Sequence, residues 1–398
     1  MPARRITCRG LVPVAAMLLL WFSLPAAASH SARIAATTAS LWQRLGARCA
    51  SAADQRLPRY PWPLAPFHRQ HAVRGYFGDP RTVIYGAHEG VFSFHNGIDI
   101  AAWPGNRVYP VVSGRVARVI GDEIVVASSR GRRFQYIHIR PHVRPGSVVT
   151  ASRTVLGTVF RPWNHVHLTE IRRDCVVNPL GHLTPFVDRT RPEVLSISFL
   201  NTAGKPVGPG DLSGNISAVA DAQEHPAMAA AGVWRRMPVT PALVTWKLTT
   251  LRGRRLLSGI AADFRQTEPP PSGFCAVYAS TTVQNFVADS GHYRWGRAGR
   301  YLFRLQAGGI PTGDLPTGRY ELTVTAQNIL GDTGQRTVTI ALHHLKKRRL
   351  AISPQSDWRC PQRLLVDTER RHGVGDSAAR DDGKAPNGSA SQSGRALP

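Results

Sequence analysis

Three short segments between positions 94 and 168 carry five side chains whose types and spacing suit metal binding or proton transfer. His95 and Asp99 lie in Phe94-His-Asn-Gly-Ile-Asp-Ile100, His138 in Tyr136-Ile-His-Ile139, and His165 and His167 in Asn164-His-Val-His-Leu168. Catalytic zinc takes three protein ligands from histidines and carboxylates and leaves a fourth position for water. A His-x-His pair by itself decides nothing, because the histidine frequency multiplied by itself predicts roughly half of one in a chain of this length. Its setting is more informative. His165-Val-His-Leu reads as a strand, in which residues two apart share a face, so both imidazoles enter the same site. If His167 binds metal, His165 stands beside it, where a metal-bound water or a substrate would be. The same logic puts Phe134, Tyr136 and His138 on one face of Phe134-Gln-Tyr-Ile-His-Ile139. An isolated strand histidine is ordinarily a packed or solvated residue, but several such groups in one segment reverse that expectation. No His-Glu-x-x-His helix occurs, and the cysteines show no Cys-x-x-Cys spacing, which argues against a thiolate zinc site. His88, His142 and His182 fall in expected loops and read as solvated. Trp163, next to the pair, either stacks on substrate or packs its own loop.

These residues need a frame. From about Val73 to Val187 short β-rich runs alternate with glycine and proline: Val108 to Val112, Gly114 to Ile120, Glu123 to Ser128, Phe134 to Ile139, Val155 to Phe160 and His165 to Ile171. This pattern predicts an antiparallel β domain over residues 67–188. Strand-like runs resume beyond Asp188 to Pro192: Val194 to Leu200, Asn215 to Ala220, Ala242 to Leu251, Cys275 to Thr282, Tyr301 to Leu305, Tyr320 to Ala326 and Gln335 to Leu342. They predict an immunoglobulin-like β-sandwich over 189–345. The fold class expected is therefore mainly β, with a short helix near the N-terminus.

Phe94-His-Asn-Gly-Ile-Asp-Ile-Ala-Ala102, Gly105-Asn-Arg-Val-Tyr109, Ser113-Gly-Arg-Val116, Tyr136-Ile-His-Ile139, His165-Val-His167 and Val177-Asn-Pro-Leu180, in that order, resemble the lysostaphin/LytM-type zinc endopeptidases. Gly75-Tyr-Phe-Gly-Asp-Pro-Arg81 looks like the glycine- and arginine-containing turn that opens such domains. The resemblance covers about Val73 to Leu183. It implies one zinc ion held by His95, Asp99 and His167, with His138 and His165 as the catalytic pair, and peptide bonds of bacterial peptidoglycan as substrate. Two imidazoles and one carboxylate leave zinc a net positive charge, enough to activate water and polarise a scissile carbonyl. The two other histidines then move protons and stabilise the oxyanion. The chain departs from the family on both sides of the His-x-His pair. Phe160-Arg-Pro-Trp-Asn164 replaces a Gly/Ser/Thr-rich loop, and Glu170 is displaced by one position, which turns it to the other face of the strand. Both changes bear on the substrate groove and the bond cleaved.

The remaining sequence predicts that the chain is exported from the cytoplasm. A basic start, an apolar run from Leu11 to about Leu24 and the small residues Pro25-Ala-Ala-Ala28 read as a secretory signal over 1–28, with an uncleaved anchor as the alternative. Residues 29–66 read as a short amphipathic helix followed by the proline-rich linker Pro58-Arg-Tyr-Pro-Trp-Pro-Leu-Ala-Pro66, and 346–398 as a basic tail too poor in apolar residues to fold. Without Cys8, the four cysteines Cys49, Cys175, Cys275 and Cys360 suggest two disulfides in an oxidising compartment, with three pairings open. Lys plus Arg outnumber Asp plus Glu by 50 to 25 over 398 residues, a net charge of +25 that suits an anionic wall polymer or a membrane surface. Nucleic acid is not expected, since no binding motif accompanies the charge. Two non-enzymatic readings stand beside the peptidase: a wall-binding or hydrolase-activating module that retains the fold, and an adhesin working through its sandwich and its charge.

Overall fold

The structure is a computed structural model, and it describes Cys49 and residues 59–82, 92–161, 163–201, 204–279, 281–285 and 299–343. The expected export signal, N-terminal helix, basic tail and His88 lie outside the described residues. No helix among the described residues is long and apolar enough to cross a membrane.

The protein is mainly β and its strands pair antiparallel. The N-terminal portion contains β1 (Val73–Gly75), β2 (Pro80–Thr82), β3 (Phe92–Phe94), β4 (Ile98–Ala101), β5 (Arg107–Val108), β6 (Gly114–Ile120), β7 (Glu123–Ala127), β8 (Arg132–Ile137), β9 (Ile139–Pro141), β10 (Val148–Val149), β11 (Gly157–Val159), β12 (His165–Arg172) and β13 (Cys175–Val177). An eight-stranded sheet runs in the order β1-β4-β12-β8-β7-β6-β10, with β13 also on β12. β12 is central and buried on both faces, so its outward-reading alternation is hidden by covering segments.

One of those covers is the proline-rich stretch. Tyr60, Trp62 and Leu64 are 1 %, 0 % and 4 % exposed, so the segment expected to be a linker is core. Prolines deny it a place in a ladder, yet its alternate aromatic and aliphatic side chains still bury. Tyr60 donates to Glu170 Oε2 at 2.8 Å. Glu170 faces away from the histidines, as its register implies, and is fully buried between Arg132, Arg172 and His182. His182 is accordingly a buried partner, 3.0 Å from Glu170 Oε2, and not the solvated loop residue expected. His142 is exposed.

The C-terminal portion has β14 (Glu193–Leu200), β15 (Pro206–Val207), β16 (Ser217–Gln223), β17 (Leu243–Thr250), β18 (Arg255–Asp263), β19 (Leu302–Arg304), β20 (Gly318–Gln327) and β21 (Thr333–Leu342). They form two four-stranded sheets, β15-β14-β16-β19 and β18-β17-β20-β21. Two elements differ from the sequence reading. The run from Cys275 starts in a helical turn, Phe274–Val277, and β18 has no counterpart among the expected strands. A glycine and two alanines inside Arg255–Asp263 blur its apolar alternation, and pairing with β17 supplies what the pattern lacks.

The two portions share one apolar core. Phe94 packs against Phe264, Phe274 and Tyr278 at ring separations of 5.7, 5.3 and 5.9 Å. Tyr278 donates to the Gly78 carbonyl at 2.8 Å, and the Thr240 N–H donates to Asp79 Oδ1 at 2.8 Å. Gly78 has φ +86°, and a Cβ there would meet the Phe264 ring at 2.4 Å, so the turn needs glycine on both counts. A disulfide joins Cys49 to Cys175. Cys275 is also disulfide-bonded.

Candidate metal centre

Strand register builds the site. β12 pairs with β4 so that His167 stands directly opposite Asp99, and His165, two residues earlier, opposite Ala101. His95 reaches the same place from the turn before β4, held by its N–H to the Asp79 carbonyl at 2.8 Å and by Nδ1 to the Tyr76 carbonyl at 2.8 Å. Gly97 makes the approach possible: a Cβ there would sit 2.4 Å from the Leu168 carbonyl and 2.7 Å from His167 Nε2.

Three ligand-type atoms converge. His95 Nε2 is 3.1 Å from Asp99 Oδ1 and 3.0 Å from His167 Nδ1, and the last two atoms are 3.1 Å apart. His95, Asp99 and His167 are the group of metal-ligating side chains that meets among the described residues. Their chemistry fits a cation. A backbone carbonyl only accepts, so His95 Nδ1 carries the proton and a neutral ring presents a lone pair at Nε2. Asp99 Oδ1 also presents lone pairs, and three electron-rich atoms this close are stable around a positive charge. The edges are near the roughly 3.3 Å that separates ligand atoms on tetrahedral zinc.

Electrostatics keep the set ready for a cation. His95 is driven down to about 3, chiefly by burial and then by the Arg81 guanidinium, and burial likewise lowers His167. Burial would push the Asp99 carboxyl up, but His95, His165 and Arg81 override it and hold it well below the usual carboxylate range. Arg81 Nη2 donates to Asp99 Oδ2 at 2.8 Å, so the second carboxylate oxygen is already satisfied. His167 Nε2 is 2.8 Å from Thr169 Oγ1. Each ligand thus has an outer partner, the arrangement that orients metal ligands.

The other two histidines stand beside this group. His165 Nε2 is 3.4 Å from Asp99 Oδ1, while its Nδ1 meets Arg74 Nη2 at 2.7 Å and the Trp163 carbonyl at 2.6 Å. Burial drives it down to about 4, against the pull of Asp99, so it is neutral. His138 packs against His165 with ring centroids 4.6 Å apart, and Trp163 stacks on His138 at 4.1 Å and 23°. Trp163 therefore packs on a site residue. His138 arrives by a different route from the one expected: β8 ends at Ile137, and His138 occupies a bend with φ +69°, so it does not share a face with Phe134 and Tyr136, which are core. Positive φ re-aims the side chain, and no spacing rule announces it.

Arg74 and Asp122 escaped the sequence reading. Arg74 lies on β1 and its guanidinium sits over the Trp234 ring at 4.1 Å, so the C-terminal portion touches the edge of the site. Asp122 bonds His138. A lone arginine on a three-residue strand and an acidic turn residue carry no motif; only the hairpin register of β7 and β8 points to Asp122.

No protein-family model matches the sequence, and no curated protein matches it. Among solved structures, the chain is similar to a zinc-containing peptidase from Vibrio cholerae (23 % identity, 30 % of this chain and 39 % of that one, TM-score 0.26). It is also similar to the catalytic domain of the prophage-encoded M23 protein EnpA from Enterococcus faecalis (22 %, 30 % and 94 %, 0.23). A chain of the SpoIIQ–SpoIIIAH pore-forming complex is similar too (19 %, 32 % and 91 %, 0.27). The functional reading rests on the site.

Proposed function

We propose that this chain is an exported zinc-dependent endopeptidase that hydrolyses peptide bonds of bacterial peptidoglycan. The observation that carries the reading is the convergence of three lone-pair atoms, from His95, Asp99 and His167, beside two further histidines, of which His165 approaches the triangle at Asp99. In this reading the three residues hold one zinc ion, which when bound supplies Lewis acidity toward a peptide carbonyl. His138 and His165 do the chain's own work, moving a proton between water and the leaving amine and donating to the developing oxyanion. Burial of His95, Asp99, His165 and His167 lowers the local dielectric and strengthens those interactions. The family resemblance in the sequence names the substrate class, and the reading of residues 1–28 as an export signal fits it. Residues 67–188 are the proposed peptidase domain and 189–345 the proposed sandwich domain.

The test is digestion of purified sacculi with zinc-loaded wild type and with His165→Ala, each assayed for bound zinc. Peptide fragments are expected from the wild type and not from the variant, with zinc retained in both. Equal release by the two proteins, or a folded wild type that takes up no zinc, would overturn the reading; absence of release from either would favour a wall-binding module.

A further inference from the structure

The two histidines beside the metal triangle are held differently, and the difference begins in a hairpin. β6 and β7 are joined by Gly121 and Asp122, Ile120 pairing with Glu123 and Gly121 taking φ +55°. Glycine at the first central position is what a two-residue type II′ hairpin requires. β7 then pairs with β8, Ile124 opposite Tyr136, so continuing the register by two residues sets Asp122 opposite His138.

Asp122 Oδ2 accepts both the His138 backbone N–H at 3.2 Å and its ring Nδ1–H at 3.1 Å. One carboxylate oxygen therefore braces the positive-φ backbone and the imidazole together. A carboxylate only accepts, so the proton of the neutral ring is on Nδ1 and the lone pair is on Nε2. Trp163 covers one ring face, and Nε2 makes no hydrogen bond to the described residues. On His165, by contrast, the outer nitrogen lies between the neutral Trp163 carbonyl at 2.6 Å and the Arg74 guanidinium, a cation, at 2.7 Å, and no carboxylate among the described residues stands behind it.

We propose that Asp122 is a positioning residue that makes His138, and not His165, the general base of the peptidase. This rests on the peptidase reading above. As the oxygen of water bonds to the scissile carbonyl carbon, one water proton passes to His138 Nε2 and the carbonyl π pair moves onto oxygen. Asp122 holds the resulting imidazolium. The same proton then goes to the amide nitrogen as its bond to carbon breaks, leaving a carboxylic acid and a free amine, with His138 neutral again.

The experiment compares wild type, Asp122→Asn and Asp122→Ala, each zinc-loaded. It records zinc per chain, kcat and KM on a soluble cross-linked muropeptide, and the His138 tautomer by long-range nitrogen-15 NMR. Wild-type His138 is expected as the Nδ1–H tautomer. Asp122→Ala is expected to lose that preference and, with zinc and KM little changed, to lose about tenfold to a hundredfold in kcat, the size of outer-partner losses. Asp122→Asn keeps an acceptor and the hairpin but not the charge, so it is expected to keep the tautomer and fall between the two in kcat. An Nε2–H tautomer in the wild type, or alanine and asparagine variants with wild-type kcat, would overturn the proposal. An inactive wild type that shows the Nδ1–H tautomer would sink the peptidase reading and the base assignment while supporting Asp122 as the residue that orients His138.

Discussion

At the residue scale, the site separates into three side chains that converge and two histidines beside them. His95, Asp99 and His167 present lone pairs to one another at 3.0–3.1 Å, a spacing that a cation relieves and a hydrophobic packing role does not explain. His138 and His165 stay outside that triangle. The two roles are separable by substitution. His167→Ala is expected to abolish stoichiometric zinc, whereas His138→Ala should keep it and lower kcat by about a hundredfold to ten-thousandfold, the usual span for a proton-transfer group. Metal analysis alongside single-turnover kinetics checks both. Zinc retained at one per chain in His167→Ala would remove that residue from the ligand set.

At the element scale, register does most of the positioning. Pairing β4 with β12 brings Asp99 to His167 across 68 residues of chain. The histidine spacing made the shared face of β12 legible, because strand alternation is a local property. The bend at His138 was not legible, since its backbone conformation is held by Asp122 from the neighbouring hairpin. Gly97 links the two scales. Its missing side chain lets the turn after His95 lie against the Leu168 carbonyl and the His167 ring, neither of which is a flexible side-chain end. Gly97→Ala should therefore displace His167 and weaken zinc affinity by about tenfold to a hundredfold, comparable with losing an outer support. Competition against a chromogenic chelator measures this, and an unchanged affinity would show that the turn can yield without moving the ligand.

At the scale of the whole molecule, the N-terminal sheet and the C-terminal sheets are packed as one body of core, and that junction carries a buried acid. Glu224, 1 % exposed, receives no hydrogen bond from the described residues at either carboxylate oxygen. Burial first, then Asp188, with further contributions from Asp79 and Asp332, raises its pKa well above the usual glutamate range. A group whose pKa is raised by folding stabilises the folded state fully below its unfolded pKa, and that stability is lost as pH rises through the folded value. Glu224→Gln keeps a neutral side chain at every pH. The melting temperature of the variant relative to wild type should therefore climb as pH increases above the ordinary glutamate range, read from thermal unfolding of zinc-loaded proteins across a pH series. A difference that stays flat would mean that Glu224 is ionised or paired throughout.

The sequence by itself determined the strand-rich class and the metal-ligating residue types of the candidate site, because alternation and His-x-His spacing are set within a few residues of chain. It also fixed the opposite face of Glu170, which follows from counting along one strand. Tertiary structure alone decided that His95, Asp99 and His167 meet, that the proline-rich stretch is core, and that Arg74 bonds His165 and Asp122 bonds His138, with Trp234 against Arg74. It decided the burial of His182 on Glu170 as well. Each of those depends on which distant segments pack together. Pairing register and shared burial select those partners, and no local pattern encodes them.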